Sequence, residues 1–155
     1  MSISEKTLVE TEKMAIAEIN AAGGINIDGE SYEIKYVVED GASNWPLFAE
    51  KAGQMIDAGY PVIFGGWTSA SRDAMEPVFE SKDGFLYYPI QYEGRECSNN
   101  IMYTGATPNQ QSEPATDFML NRSEAAGKPF FLVGSDYVFP RTSNSITKAQ
   151  LKAIG

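Results

Sequence analysis

Five residues near the middle of the chain, Gly65-Gly66-Trp67-Thr68-Ser69, have the types and spacing of a small-molecule contact. They follow directly on the apolar run Pro61-Val62-Ile63-Phe64. Paired glycines let a backbone turn tightly, and Thr68 or Ser69 can start a helix whose free N–H groups attract an anion or a polarised carbonyl oxygen. The same hydroxyls suffice as plain helix caps, and Trp67 as plain packing, so both readings stand at this stage. A second segment, Tyr87-Tyr88-Pro89-Ile90-Gln91-Tyr92-Glu93, brings three phenols together with one neutral and one acidic partner. Gln91 donates and accepts; Glu93 only accepts when ionised, and is equally readable as a solvated carboxylate or a partner of Arg95. Asp136-Tyr137 repeats the pairing of acceptor and ring. Such groups suit recognition of something small, polar and uncharged.

Catalytic readings find little support. The chain has no histidine, which removes Ser-His and Cys-His activation and every His-based metal site. Ser69 and Ser71 have no lysine at a recognisable spacing. Glu39 and Asp40 are adjacent, so on a strand they point to opposite faces and cannot flank one bond. Cys97 is the single cysteine, so no intrachain disulfide or thiolate cluster forms. No Gly-Lys-Ser/Thr follows Gly66, which excludes a P-loop. A phosphoacceptor receiver would need an Asp and a Lys where Gly65 and Gly134 stand. No catalytic residue, metal or cofactor is therefore expected, and the chain is not read as an enzyme. The formal charge of −9, from 21 acidic and 12 basic residues, speaks against nucleic acid as a partner. No apolar run approaches the ~20 residues that span a bilayer. No basic stretch followed by an apolar one, as in a secretory signal, opens the sequence.

These segments need elements to hold them. Leu8, Ala15, Ile16 and Ile19 lie on one face of a helix over about 3–21, with Ser2 and Glu5 as a capping box and Gly23-Gly24 as its stop. Alternation of Tyr32, Ile34, Tyr36 and Val38 predicts a half-buried strand, ended by Asp40-Gly41. Asn44 or Ser43 can cap a second helix, with Pro46 in its first turn and Phe48, Ala52, Met55 and Ile56 inward. Residues 61–64 read as a parallel strand covered on both faces. A helix follows over about 69–81, strained by Pro77, then strands at 85–88 and 101–104. Thr107-Pro108 predicts a helix reaching about Ser123, with Pro114 obscuring its start. Phe130 to Val133 predicts a strand, Pro140 the loop after it, and Ile146, Ala149 and Ala153 a last helix. The alternation of strands and helices gives an α/β fold, a three-layer parallel sheet with helices on both faces, in one unit over 1–155. Ligands of such sheets gather beyond the carboxyl ends of the strands, where the segments above lie. A chain opening on a helix also suggests a first strand upstream of Met1.

Four segments in order, Gly65 to Arg72, Tyr88 to Gly94, Thr107 to Gln111 and Gly134 to Arg141, resemble the urea and short-chain-amide binding proteins of ABC transporters and related amide-sensing regulators. Glu18 to Gly24 and Val38 to Ser43 match as well. The resemblance implies a type I periplasmic-binding-protein fold, of which this chain is the N-terminal lobe without its first strand and without the C-terminal lobe. It implies ligand contacts at Trp67, Ser69, Tyr88, Gln91, Tyr92 and Tyr137, with Thr68, Glu93 and Asp136 beside them. Gly66 departs from the cysteine usual there. The implied ligand is urea or a short amide, the implied partners are ABC permease subunits, and the implied location is periplasmic or extracytoplasmic. A cytoplasmic amide sensor and a binder of branched-chain or other amino acids are the alternatives. A lobe lacking a central strand is expected to bind weakly alone and to have a frayed sheet.

Overall fold

The computed structural model describes residues 2–125 and 127–154, with residues 2–4 and 123 described by their backbone only. Residues 1–43 and 44–155 form two compact units.

In the first unit, α1 spans Ser2–Ala21, within a residue of the expected helix. The proposed Ser2–Glu5 capping box lies outside the described side chains. Gly23 and Gly24 stop the helix at φ +105° and +83°, and the Gly24 N–H donates to Ile19 O at 2.9 Å. The strand predicted from Tyr32 to Val38 does not form. Instead β1 (Ile25–Ile27) pairs antiparallel with β2 (Glu30–Tyr32) around Asp28-Gly29, both at positive φ. An Asp-Gly pair between two such runs is a strong hairpin signal, and it outranks the alternation that follows. Beyond Tyr32 the backbone turns elsewhere: the Asn20 side-chain amide donates to Ile34 O at 2.9 Å and its oxygen accepts from Ile34 N at 2.8 Å. No ladder includes Tyr36 or Val38 among the described residues, and both are exposed.

The second unit opens on α2 (Trp45–Asp57), capped by Asn44, whose Oδ1 accepts from Leu47 N at 3.2 Å, with Pro46 in the first turn. Strand β3 (Val62–Phe64) leads through α3 (Ser69–Lys82) to β4 (Phe85–Tyr88), then through residues 89–100 to β5 (Ile101–Tyr103). The three strands form a parallel sheet in the order β3-β4-β5, with Ile63 beside Leu86 and Tyr88 beside Tyr103. Period-two alternation sends Leu86, Tyr88 and Ile101 to one face, where they join Ala52 of α2 and Met75 and Phe79 of α3 in the buried core. This is the α/β arrangement expected, with one correction within the sheet. The other face of β3 is uncovered: Val62 is 47% and Phe64 60% exposed, and Phe64 stacks on Tyr87 at 4.7 Å.

Three further expectations are corrected downstream. The helix predicted from Thr107 divides into a 3₁₀ turn (Pro108–Gln110) and α4 (Ser112–Leu120), because Pro114 fits only the first turn of a helix and so fixes where α4 begins. Residues 130–133 do not form a strand; Phe131 is 91% exposed and finds no ladder partner among the described residues. Pro140 does not close a loop but occupies the first turn of α5 (Val138–Ile154), where its missing N–H costs nothing.

Candidate functional site

The turn after β3 is built by Gly65 and Gly66, at φ +132° and +78°. A side chain on Gly66 would be strained by that φ and would press on Met75 Cε at 3.0 Å, so the glycine that departs from the resembling family's cysteine fits this turn. Thr68 then caps α3. Its Oγ1 accepts from Ser71 N at 3.1 Å while Ser71 Oγ accepts from Thr68 N at 3.2 Å, a reciprocal capping box. The cap therefore occupies Thr68 and leaves Ser69 free. Ser69 is 2% exposed, and its Oγ has no hydrogen-bond partner.

Among the described residues four more buried polar atoms share that condition: Tyr88 OH, Glu93 Oε1 and Arg72 Nη1, and, on α5, Gln150 Oε1. Buried polar groups are rarely left unpaired, because each forfeits its hydration without return. Burial pushes the Tyr88 phenol up to about 12, while Arg72 and Ser69 pull the other way. The phenol is thus neutral at ordinary pH and able both to donate and to accept. Ser69 is near enough to affect it, yet neither hydroxyl completes a bond of good geometry.

Arg72 joins these groups. Its guanidinium lies 4.7 Å from the centre of the Tyr88 ring, 5.7 Å from Tyr92 and 5.9 Å from Tyr103, within cation–π range. Tyr92 and Tyr103 are stacked at 4.3 Å. Arg72 Nε donates to Glu96 Oε1 at 2.9 Å, and Nη2 donates to Glu93 Oε2 at 3.0 Å and to Glu96 Oε2. Burial opposes the charge on Arg72, but the hydrogen bond and charge of Glu96, with Tyr88 and Glu93 behind it, prevail and raise its pKa.

Against expectation, the partner of Glu93 is Arg72 rather than solvent or Arg95. Thr68, Ser69, Tyr88, Tyr92 and Glu93 are gathered around the carboxyl ends of β3 and β4. Trp67 is half-buried beside them, and Gln91 is exposed. Asp136 and Tyr137 are in the loop before α5, where the Asp136 carboxylate accepts from Arg141 Nε at 2.7 Å; neither is hydrogen-bonded or ring-stacked to the cluster. Beside Tyr92 opens a cleft of about 340 Å³, lined also by Pro108, Gln111, Ser112, Phe139 and Ser143. None of these lining side chains carries a charge.

The whole of the chain, residues 1–155, matches the family described as a periplasmic binding protein domain. The chain belongs to the periplasmic binding protein family. Among solved structures it is similar to an ABC-type branched-chain amino acid transporter from Rhodopseudomonas palustris, at 22% identity and a TM-score of 0.58. That match covers 93% of this chain and 38% of the other, so this periplasmic-binding-protein chain spans less than half the length of its neighbour. At that identity the likeness concerns the fold. No helix among the described residues is long and apolar enough to cross a membrane.

Sequence reasoning missed Arg72, Glu96 and Tyr103 as members of the cluster. A signal was present for two of them: Arg72 stands one helical turn after Ser69, and Glu93 and Glu96 are three residues apart on the loop that leaves β4. Nothing local pointed to Tyr103.

Proposed function

We propose that this chain is one lobe of a two-lobe solute-binding protein that captures urea or a short-chain amide for an ABC importer. On this reading the protein works outside the cytoplasm and hands its solute to permease subunits. The observation that carries it is the set of buried, unpartnered groups at the strand ends: Ser69 Oγ, Tyr88 OH and Glu93 Oε1. Urea is planar and neutral, with one acceptor oxygen and four N–H donors. Ser69 and Tyr88 supply donors for the oxygen, Glu93 an acceptor for N–H, and Tyr92 and Trp67 flat apolar walls. On this reading Gln91, Asp136 and Tyr137 line the rim of the mouth, and Thr68, whose hydroxyl caps α3, holds the turn that carries Ser69.

Size limits the affinity of one lobe. At a ceiling of about 1.5 kcal/mol per heavy atom, urea gains roughly 6 kcal/mol, which corresponds to tens of micromolar. Half of those contacts leave roughly 3 kcal/mol and binding of several millimolar or weaker, so tight capture requires closure of two lobes. The test is a thermal-shift comparison of urea, acetamide, formamide and leucine on the two-lobe protein, with Ser69→Ala and Trp67→Ala alongside. Stabilisation by urea or an amide, weakened in both variants, supports the proposal. Stabilisation by leucine alone, in line with what the Rhodopseudomonas neighbour is described as transporting, would overturn it in favour of an amino-acid binder.

A further inference from the structure

Strands β4 and β5 lie side by side and parallel, yet residues 89–100 between them contain no helix. A parallel crossover usually rests on a packed helix, so this loop needs another anchor. Arg72 provides it. The side chain is fully buried, and its guanidinium binds Glu93 and Glu96 of the loop at once while facing Tyr88, Tyr92 and Tyr103. One planar fork from α3 thereby fixes two carboxylates and three rings, a task suited to Arg and not to the point charge of Lys.

Glu93 is held through one oxygen only. Its Oε2 accepts from Arg72 Nη2 at 3.0 Å, while Oε1 is buried without a partner. From this we infer that Arg72 is a positioning residue that acts through Glu93: it fixes the carboxylate by one oxygen and leaves the other as the acceptor for a ligand N–H. In this assignment Arg72 acts on the ligand indirectly, although its Nη1 is buried without a partner. The two carboxylates saturate its charge, so it does not serve as an anion receptor. This inference rests on the amide-binding reading of the same site.

A double-substitution cycle tests it, with calorimetric titration of urea and acetamide into the two-lobe protein and its Arg72→Lys, Glu93→Gln and doubly substituted forms. If Arg72 acts through Glu93, each single change weakens urea at least about tenfold, the usual consequence of disturbing a buried charged acceptor. The double form is then within about twofold of Glu93→Gln alone, because the two residues form one unit. An Arg72→Lys effect that is absent, or undiminished in the Glu93→Gln background, would overturn the inference while leaving the site reading intact. Circular dichroism checks each form for folding. Should Arg72→Lys fail to fold, Glu96→Gln takes its place, since Glu96 is 21% exposed and binds the same guanidinium. It must weaken urea when Glu93 is intact and not when Glu93 is Gln; equal weakening in both overturns the inference. Failure of the unsubstituted protein to bind urea or acetamide removes the site reading, and this inference with it.

Discussion

Replacing Tyr88 with Phe separates stability from binding at a single oxygen. The hydroxyl is buried, has no partner and belongs to a residue that is 0% exposed. An unsatisfied buried polar group costs about 1–3 kcal/mol, and deleting it with retention of the ring returns much of that cost. The ring's contact with the Arg72 guanidinium, at 4.7 Å, survives because Phe offers the same face. Packing against Met75 and Leu86 in the core is kept too. Tyr88→Phe should therefore stabilise the chain by about 0.5–2 kcal/mol, or roughly 1–8 °C in melting temperature for a protein of this size. Ligand affinity should fall at the same time, by about five- to tenfold for one lost neutral hydrogen bond. Thermal melts by circular dichroism, with guanidinium rather than urea as denaturant, measure the first effect. Calorimetry with urea measures the second. A variant less stable than the parent by 1 kcal/mol or more would refute the reasoning, since it would mean that the hydroxyl is already satisfied within the fold.

Three further outcomes follow from the same cluster and the loop it anchors. Arg72→Ala should destabilise the second unit by about 3–5 kcal/mol, because it strands Glu93 as an uncompensated buried charge; a loss below 1 kcal/mol in guanidinium melts would show that the pair is wet. Burial first, then the hydrogen bond and charge of Glu96 and the charges of Glu80 and Asp73, lift the Glu76 carboxyl from 4.5 to about 7. The folded chain then holds more protons than the unfolded one between those values, so the contribution of Glu76 is fully present below pH 4.5 and fades as pH rises through 7. Glu76→Gln should flatten that part of the stability profile, and an unchanged slope would count against the shift. Gly105→Ala drives a Cβ into the backbone carbonyl of Ile90, and the resulting clash should cost roughly 2 kcal/mol or more and loosen the turn that carries Gln91 and Tyr92. Normal melting of that variant would sink the argument.

The sequence makes legible whatever is decided within about one helical turn. Asn44 with Pro46 announces α2, and the pair Thr68-Ser69 announces the start of α3, of which Thr68 is the cap, because caps act over three residues. Tyr87 and Tyr88 lie on opposite faces of β4, as alternation along a strand requires, one half-buried against Phe64 and one in the core. Strands are another matter, since a strand exists only with a partner. The alternation of Tyr32 to Val38 and the apolar run of Phe130 to Val133 carry the right side chains, but no neighbouring backbone meets them among the described residues. The Asp28-Gly29 hairpin was readable and gave way to a longer pattern. The site divides in the same way. Ser69, Tyr92 and Glu93 follow from their places after strands and Tyr88 from its place at a strand's end, whereas the bond between Arg72 and Glu93 spans 21 residues and competes on paper with the nearer Arg95.

Charge balance bears on which solute this mouth favours. An amino acid brings a carboxylate that needs a cation or a cluster of donors, and an ammonium that needs an acceptor. The one guanidinium at the cluster is committed to Glu93 and Glu96, with Asp73 at 3.4 Å besides, so a carboxylate would meet more negative than positive charge here. The start of α3, buried at Thr68, Ser69 and Ser71, offsets this by about 2 kcal/mol at most, less than the repulsion of a desolvated carboxylate pair. On the proposed reading a neutral solute escapes that penalty and still meets three of the unpartnered atoms: its oxygen would take the hydroxyls of Ser69 and Tyr88, and its N–H groups would take Glu93 Oε1. The isosteric series urea, acetamide and acetone makes this argument quantitative, because shape stays fixed while N–H groups fall from four to two to none. Affinity should drop along that order, by about fivefold or more at the step that leaves Glu93 without a donor. Equal binding of acetone and urea would show that the carboxylate plays no part.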